Sequence, residues 1–465
     1  MRKMKRNEIN KNELFESVSP AKALSVMALP TVGSQVIVLL YNLADTWFIG
    51  RTDDPYMIAA SSLVLTVYLA VVALANVFGV GGSSLMVRLM GEKREDDARR
   101  VASYSTAASV LAALTFSALT LVFMGPLLRL LGASENTFQY GRQYLLATTV
   151  IGAAPTVLAM DMPMLLRNAG YAKEAGFGVA LGGVMNILLD PLFMFVLLPE
   201  GCEVLGAGVA TMLSNVFSCV YFIAVFRRVR EESVLELPKR LEKVESDQKK
   251  SLYSVGIPAA FAIFLFDLVT MVINRLTASY GDISLAAMGI VLKVERLPLN
   301  IGLGVCLGMV PLVAYNYASG DHRRMERFAS LARFAILGFS CVCVVLFWFF
   351  PEPITGLFMK DPVKNMETVR LGAEFLRGRC LAMPFMLLGY HVVNFMNAVD
   401  RGKVSFLLAV IRHLLLIIPL LLIMNALWGL NGLIWAQVAA DVLNALIAML
   451  IFRKAKSEIN GGQIS

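Results

Sequence analysis

"GGVMNILLDPLFMFVLL", residues 182–198, is apolar at nearly every position, yet it holds an amide at Asn186, a carboxylate at Asp190 and a helix breaker at Pro191. With the apolar residues that precede it from Gly176, the run is long enough for the roughly 20 residues a helix needs to cross a hydrocarbon core. The rest of the chain has the same character: 57% of its 465 residues are hydrophobic and 16% charged, with a mean hydropathy of +0.67. Such values lie outside the range of soluble globular domains. The sequence therefore reads as an all-α polytopic membrane protein.

Twelve runs fit the length of a transmembrane helix, beginning near Ala23, Tyr56, Val101, Leu145, Gly176, Gly206, Leu252, Leu285, Leu331, Leu381, Val404 and Leu430. The long charged linker "RRVREESVLELPKRLEKVESDQKK", residues 227–250, separates the sixth from the seventh. This divides the chain into an amino-terminal segment (1–22), a first lobe of six spans (23–226), the linker (227–250), a second lobe of six spans (251–453) and a tail (454–465). The first 22 residues are basic and polar, without the apolar run of a cleavable signal. Lys and Arg gather in alternate loops: Arg2, Lys3, Lys5 and Arg6, then Lys93, Arg94, Arg99 and Arg100, the linker, Arg323, Arg324 and Arg327, and finally Arg453, Lys454 and Lys456. The opposite loops are nearly bare of them, except between the ninth and tenth spans, where Lys360, Lys364 and Arg370 run against the pattern. The asymmetry places both termini in the cytoplasm of a multi-pass protein of the inner or plasma membrane. The net charge of +8 thus reports topology, and no nucleic-acid partner is expected. Six cysteines lie singly or within apolar runs and read as small core residues, without the spacing of a zinc site.

The halves repeat at an offset near 228 residues: Pro30 pairs with Pro258, "IAASSLV" at 58 with "LAAMGIV" at 285, "GE" at 91 with "GD" at 320, Pro155 with Pro384, and Asn168-Ala169 with Asn397-Ala398. Five matches in order argue for duplication. Six spans per repeat keep the two halves in the same orientation, which is a transporter architecture.

The polar residues inside the oil then define candidate sites. Asn186 and Asp190 are four apart and share a helix face. Pro191 offers no amide hydrogen, so carbonyls near residue 187 are loosened. Asp190 lies roughly 12 Å from the outer end of span five, and Asp45 and Thr211 fall at similar depths in spans one and six. Asp45, Asn186, Asp190 and Thr211 read together as an oxygen-rich site for H+ or Na+, with Pro30 and Pro191 as hinges. The competing reading is structural: Asp45 marks a helix end and Asp190 bonds within a bundle. In the second lobe Asp267, Lys293, Glu295, Arg296, His391, Arg412, His413 and Asp441 line a polar cavity, as substrate contacts or as ion pairs, with Arg412 facing Glu295 or Asp267. Asp161 reads as a local cap or a partner of Arg167. The 24 methionines and 27 phenylalanines suit packing and lipid contact, and also adaptable apolar recognition.

Several stretches together resemble the multidrug and toxic compound extrusion (MATE) family over essentially the whole chain: "LPTVGSQVIVLLYNLADTWFIG" in span one, "LLRNAGYAKEAGFGVALGGVMNILLDPLFMF" across spans four and five, "GAGVATMLSN" in span six and "VAYNYASGDHRRM" after span eight. The resemblance implies that Asp45, Asn186, Asp190 and Thr211 contribute to a proton or sodium site. This sequence departs from family patterns at Val38, where an amide is frequent, and at Pro163 and Met164, where paired Asn are frequent. Asp267 lies close to an acidic position that another branch uses for cation coupling. The resemblance implies an antiporter that exchanges H+ or Na+ for small amphipathic, cationic organic compounds, acting in the bilayer as a monomer without a cofactor. The alternative within transport is a flippase for lipids or lipid-linked glycans. A polytopic enzyme such as a prenyltransferase would need clustered carboxylates at one membrane face. The only adjacent acidic pairs, Asp53-Asp54 and Asp96-Asp97, fall on opposite faces, and no catalytic motif accompanies them. The expectation is a transporter and not an enzyme.

Overall fold

The computed structural model describes residues 11–52, 54–238, 242–359 and 365–461. Arg2, Lys3, Lys5, Arg6, Asp53, Lys360, Lys364 and the last four residues of the tail lie outside the described residues. Among the described residues every regular element is helical. Nine helices are long and apolar enough to cross a membrane, and two further pairs pass the same test as spans bent by 50°. One of the nine, Gly402–Ile459, is itself double. Arg412 and Asp441 meet at 2.8 Å across it, whereas a straight helix would hold residues that far apart in sequence about 44 Å from each other. The chain folds back at Gly429, whose φ of 59° and ψ of −138° are non-helical. The fold is therefore all-α and polytopic, and its helices are accommodated as twelve spans.

In chain order these are span one (Pro20–Gly50), two (Pro55–Gly91), three (Glu95–Val122), four (Glu135–Leu145 and Ala153–Asn168), five (Ala172–Leu192), six (Glu203–Val229), seven (Ser246–Ala278), eight (Asp282–Ala318), nine (His322–Phe349), ten (Met366–Cys380 and Met383–Ala398), and eleven and twelve, which begin at Gly402 and end at Gly461. Local chemistry sets several of the starts. The Asp54 carboxylate accepts from the Tyr56 amide ahead of span two, with Pro55 in the first turn, and Asp321 accepts from the Arg324 amide ahead of span nine. Ser134 and Thr137 form a reciprocal capping box at the head of span four.

Spans four and ten begin well before their apolar runs, at Glu135 and Met366. Arg370 accordingly sits on a helix and not in a loop. The duplicated prolines explain the duplicated bend: Pro155 and Pro384 stand in the first turn after each break, where a residue without an amide hydrogen cannot continue the ladder from the preceding helix.

By contacts the chain divides into two compact units, Met1–Ala260 and Phe261–Ser465, with the division inside span seven. The first has a core that includes Met162, Leu165, Phe222, Phe226 and Leu252; the second is built around Ala287, Phe375, Leu376 and Ala436. Large apolar side chains such as Leu111, Leu119, Phe334, Leu446 and Leu450 remain exposed, as lipid-facing surfaces require. All six cysteines are free; Cys219, Cys306, Cys343 and Cys380 are buried, while Cys341 lies on the surface instead of in the core.

Candidate functional site

Glycines fix the register that builds the first site. A Cβ at Gly176 would stand 2.7 Å from the Pro30 carbonyl oxygen, and one at Gly183 would stand 2.8 Å from Ile37 Cγ2, so spans one and five pack closely and in parallel. Seven residues on one helix match seven on the other, and the next step sets Asp190 beside Ala44 and Asp45. Spans five and six run in opposite directions: Gly178 faces Phe222, Gly182 faces Ser218 and Phe193 faces Gly206. That register brings Asp190 level with Ala210 and Thr211.

Asp190 is fully buried, and its Oδ1 accepts from Asn186 Nδ2 at 3.2 Å, the bond that the four-residue spacing leads one to expect. Asp45 is half-buried and is the charge that Asp190 feels. Asp190 Oδ2, Asn186 Oδ1 and Asp45 Oδ1 are all buried without a hydrogen-bond partner. Leaving such oxygens unmet in a low-dielectric interior costs about 1–3 kcal/mol each, more when they are charged. Two carboxylates with an amide oxygen between them can offset that cost by taking up one proton or one small cation. Just beyond Pro191, which has no hydrogen for the Ile187 carbonyl, the helix widens into a π turn at Phe193–Leu197.

Three tyrosines that the sequence did not single out surround this pair. Tyr41, one turn before Asp45, and Tyr68 on span two both lie within the reach of its charge, and Tyr144 on span four feels Asp45 and Asp190 together. Tyr68 also lies in hydrogen-bonding reach of Asn215 and Thr156, which bond to one another at 2.9 Å. Nothing in the linear pattern separates these tyrosines from ordinary aromatic packing. Pro30 lies within a helix that continues unbroken from Pro20 to Gly50.

Asp161 is neither a cap nor a partner of Arg167. It sits in the middle of Ala153–Asn168, fully buried, and faces Ser105, Thr106 and Ser109 on span three. No ion pair joins it to Arg167, whose Nε is buried without a partner.

The second unit is organised differently. A cavity of about 60 Å³ is lined in part by Phe266, Glu295, Arg296, Arg379, Arg412, His413 and Gln437. Glu295 receives a two-pronged bond from Arg379, Nε to Oε1 at 2.9 Å and Nη2 to Oε2 at 2.8 Å. Arg412 pairs with Asp441 and not with Glu295 or Asp267; it also donates to the Tyr390 hydroxyl at 3.2 Å and contacts His413 Nε2. Gln437 donates to the other oxygen of Asp441. Asp267 is half-buried and feels the charge of Arg296, which lies over the Phe266 ring at 5.7 Å. His391 stands apart from this lining: its Nε2 meets the Ala329 carbonyl at 2.8 Å and its ring packs 5.9 Å from Phe452. Arg379 and Gln437 are polar cavity residues that sequence reading missed: Arg379 lies 84 residues from Glu295, and Gln437, though only four residues from Asp441, has no charge to mark it.

The chain is similar to known proteins along its whole length. The family model MatE matches twice, at residues 30–192 and 258–423, so the matched segments begin at the prolines that head the two repeats. The chain is 29% identical over 437 residues to "Multidrug export protein MepA" of Staphylococcus aureus (strain MSSA476), covering 94% of each protein. It is 28% identical over 445 residues, 96% of each, to the protein of the same name from Staphylococcus haemolyticus (strain JCSC1435). Its fold is that of a structure described as "Crystal structure of MATE in complex with MaL6", with a TM-score of 0.91 at 22% identity over 98% of this chain and all of that one. An "Outward-facing conformation of a multidrug resistance MATE family transporter of the MOP superfamily" gives 0.90 at 22% identity, over 98% and 99% of the two chains. Family membership makes the chain a transporter and not an enzyme. With both repeats matched across well over half of its length, the chain belongs to the MatE family.

Proposed function

We propose that this MatE protein is a secondary active multidrug exporter that exchanges H+ or Na+ for small amphipathic, cationic organic compounds by alternating access. The observation that carries the reading is the pair Asp45 and Asp190, brought to one level with Asn186 and Thr211 and left with unpaired buried oxygens. The likeness to proteins named for multidrug export supports the substrate class. Coupling requires the ion to bind two conformations with different affinity. Taking up a positive charge removes the cost of the paired carboxylates and lets span one bend at Pro30 against span five. The glycine-mediated contact at Gly176 makes that bend felt by both helices.

The Lys and Arg distribution supports a multi-pass plasma-membrane protein with both termini in the cytoplasm; the proposed unit of transport is the single chain. Asp267, half-buried and outside the Glu295–Arg379 pair, is the acidic group through which the second unit meets a cationic compound. The test is efflux of a fluorescent organic cation from vesicles containing the purified protein, under pH and Na+ gradients imposed separately. Efflux driven by either gradient and absent without one is the expected result; equal rates with and without gradients would overturn the reading.

A further inference from the structure

A second buried carboxylate in the first unit has a setting unlike the Asp45–Asp190 pair. Asp161 is completely buried in span four, and Gly79 of span two lies so close that a Cβ there would stand 3.3 Å from the Asp161 backbone. Three hydroxyls face it from span three, at Ser105, Thr106 and Ser109. Each hydroxyl has one hydrogen to give. Ser105 Oγ donates at 2.7 Å to the Phe78 carbonyl and, at the longer 3.4 Å, to Asp161 Oδ1, so the carbonyl takes the larger share of its single hydrogen. Thr106 donates to the Ala102 carbonyl at 3.2 Å, and Ser109 donates to the Thr106 carbonyl at 2.9 Å. Asp161 therefore draws one long bond, from Ser105, and competes with backbone carbonyls for the hydrogens of all three hydroxyls.

Asp161 Oδ2 has no partner at all, so a bare carboxylate here would be left under-bonded. Nor does a counter-charge stand nearby. Span two presents Gly79 and the Phe78 carbonyl; span three adds Tyr104, bonded to Tyr253; span six offers Cys219, whose thiol is bonded to the Pro155 carbonyl. Span five carries Lys173 and Glu174 at its start and Asp190 near its end, and Arg167 lies six residues along the helix of Asp161 itself. None of these forms an ion pair with Asp161. A fully buried carboxylate without a counter-charge is costly, and an acid, whose single hydrogen one of the hydroxyl oxygens can accept, avoids that cost.

We propose that Asp161, caged by Ser105, Thr106 and Ser109, is a second seat for the coupling proton, distinct from the Asp45–Asp190 pair. The route between them is polar. Thr156 lies five residues before Asp161 on the same helix and is bonded to Asn215; both are in reach of the Tyr68 hydroxyl, which feels Asp45. As a coupling site the proposal rests on the exporter reading, whereas the protonation of Asp161 is measured independently of it.

Infrared spectroscopy of the protein in lipid vesicles at neutral pH separates a carboxylic acid from a carboxylate. In a background carrying Asp45→Asn and Asp190→Asn, a protonated carboxyl band should remain, and it should vanish when Asp161→Asn is added. A band untouched by Asp161→Asn would overturn the proposal. Ser105→Ala keeps Asp161 and removes one acceptor, so the band should move; an unmoved band would overturn the cage. In otherwise unaltered protein, Asp161→Asn should slow proton-driven efflux about tenfold while leaving binding of the fluorescent cation unchanged. Efflux at the unsubstituted rate, or a protein driven by Na+ alone, would overturn the coupling role. If the unsubstituted protein showed no gradient-driven efflux, the exporter reading would fail along with this role, and the infrared band would still report whether Asp161 carries a proton.

Discussion

The two repeats carry similar numbers of acidic residues into the membrane and treat them in opposite ways. In the first unit Asp45, Asp161 and Asp190 have no cationic partner, and each keeps a buried oxygen without any hydrogen bond. In the second, Glu295 is held by both prongs of Arg379, and Asp441 is shared between Arg412 and Gln437. In a low-dielectric medium an isolated charge costs far more than a paired one, so the first arrangement invites a mobile positive charge and the second already contains a fixed one. Duplication supplied the same helices twice. Divergence in the partners of the carboxylates made one half able to gain and lose charge and the other able to keep a polar cavity open.

Substitutions can break this contrast directly. Asp45→Asn and Asp190→Asn should each reduce gradient-driven efflux to the leak rate, a loss of about 100-fold or more, because the coupling charge then has no seat. Efflux from vesicles at unsubstituted rates in both variants, with normal expression, would remove the distinction between the units. A stability measurement sharpens it. Arg379→Ala strands Glu295 and should cost about 3 kcal/mol, seen as a lowered melting temperature in detergent. The joint change of Arg379 and Glu295 to Gln should recover part of that loss. Asp190→Asn should leave the melting temperature unchanged or raise it, since it removes a charge that nothing compensates. If both single changes lowered it equally, the partners seen in the second unit would contribute nothing.

Smaller effects test the register that assembles the first site. A Cβ at Gly183 would stand 2.8 Å from Ile37 Cγ2 and 3.1 Å from Tyr41 Cδ1. Gly183→Ala should therefore cost about 1–2 kcal/mol, measured by thermal unfolding, and slow efflux by separating Asp190 from Asp45. Gly33, on the same span one, has no atom within 4 Å of an added Cβ. Gly33→Ala should stay within about 0.5 kcal/mol of the parent, and a comparable loss there would show that helix backbone flexibility, not close contact, is what these glycines provide.

Much of this was legible in the sequence for definite reasons. Span length follows from bilayer thickness, so hydropathy alone yielded the membrane class and the series of spans. Duplicated prolines marked duplicated features, and Pro155 and Pro384 proved to head equivalent 50° bends. Asn186 and Asp190 shared a face because helical periodicity leaves no alternative, and their 3.2 Å bond follows from it. Depth counting placed Asp45, Asp190 and Thr211 together in the outer half of the first lobe, because rise per residue is constant.

What periodicity cannot supply is which face of one helix meets which face of another, and there the tertiary structure decided. Glu295 found Arg379, 84 residues away, instead of its sequence neighbours Lys293 and Arg296. Arg412 found Asp441 because the chain turns back at Gly429. Asp161 faced three hydroxyls of span three instead of Arg167 on its own helix. His391, twelve residues beyond Arg379 along the chain, turned toward the Ala329 carbonyl. The sequence by itself determined how many helices cross the membrane and which polar groups share one face of a helix, since both depend on distance along one helix. Only packing, through close contacts such as Gly176 against Pro30 and Gly182 against Ser218, decided which buried charges are neutralised by a partner and which are left to take one from outside the chain.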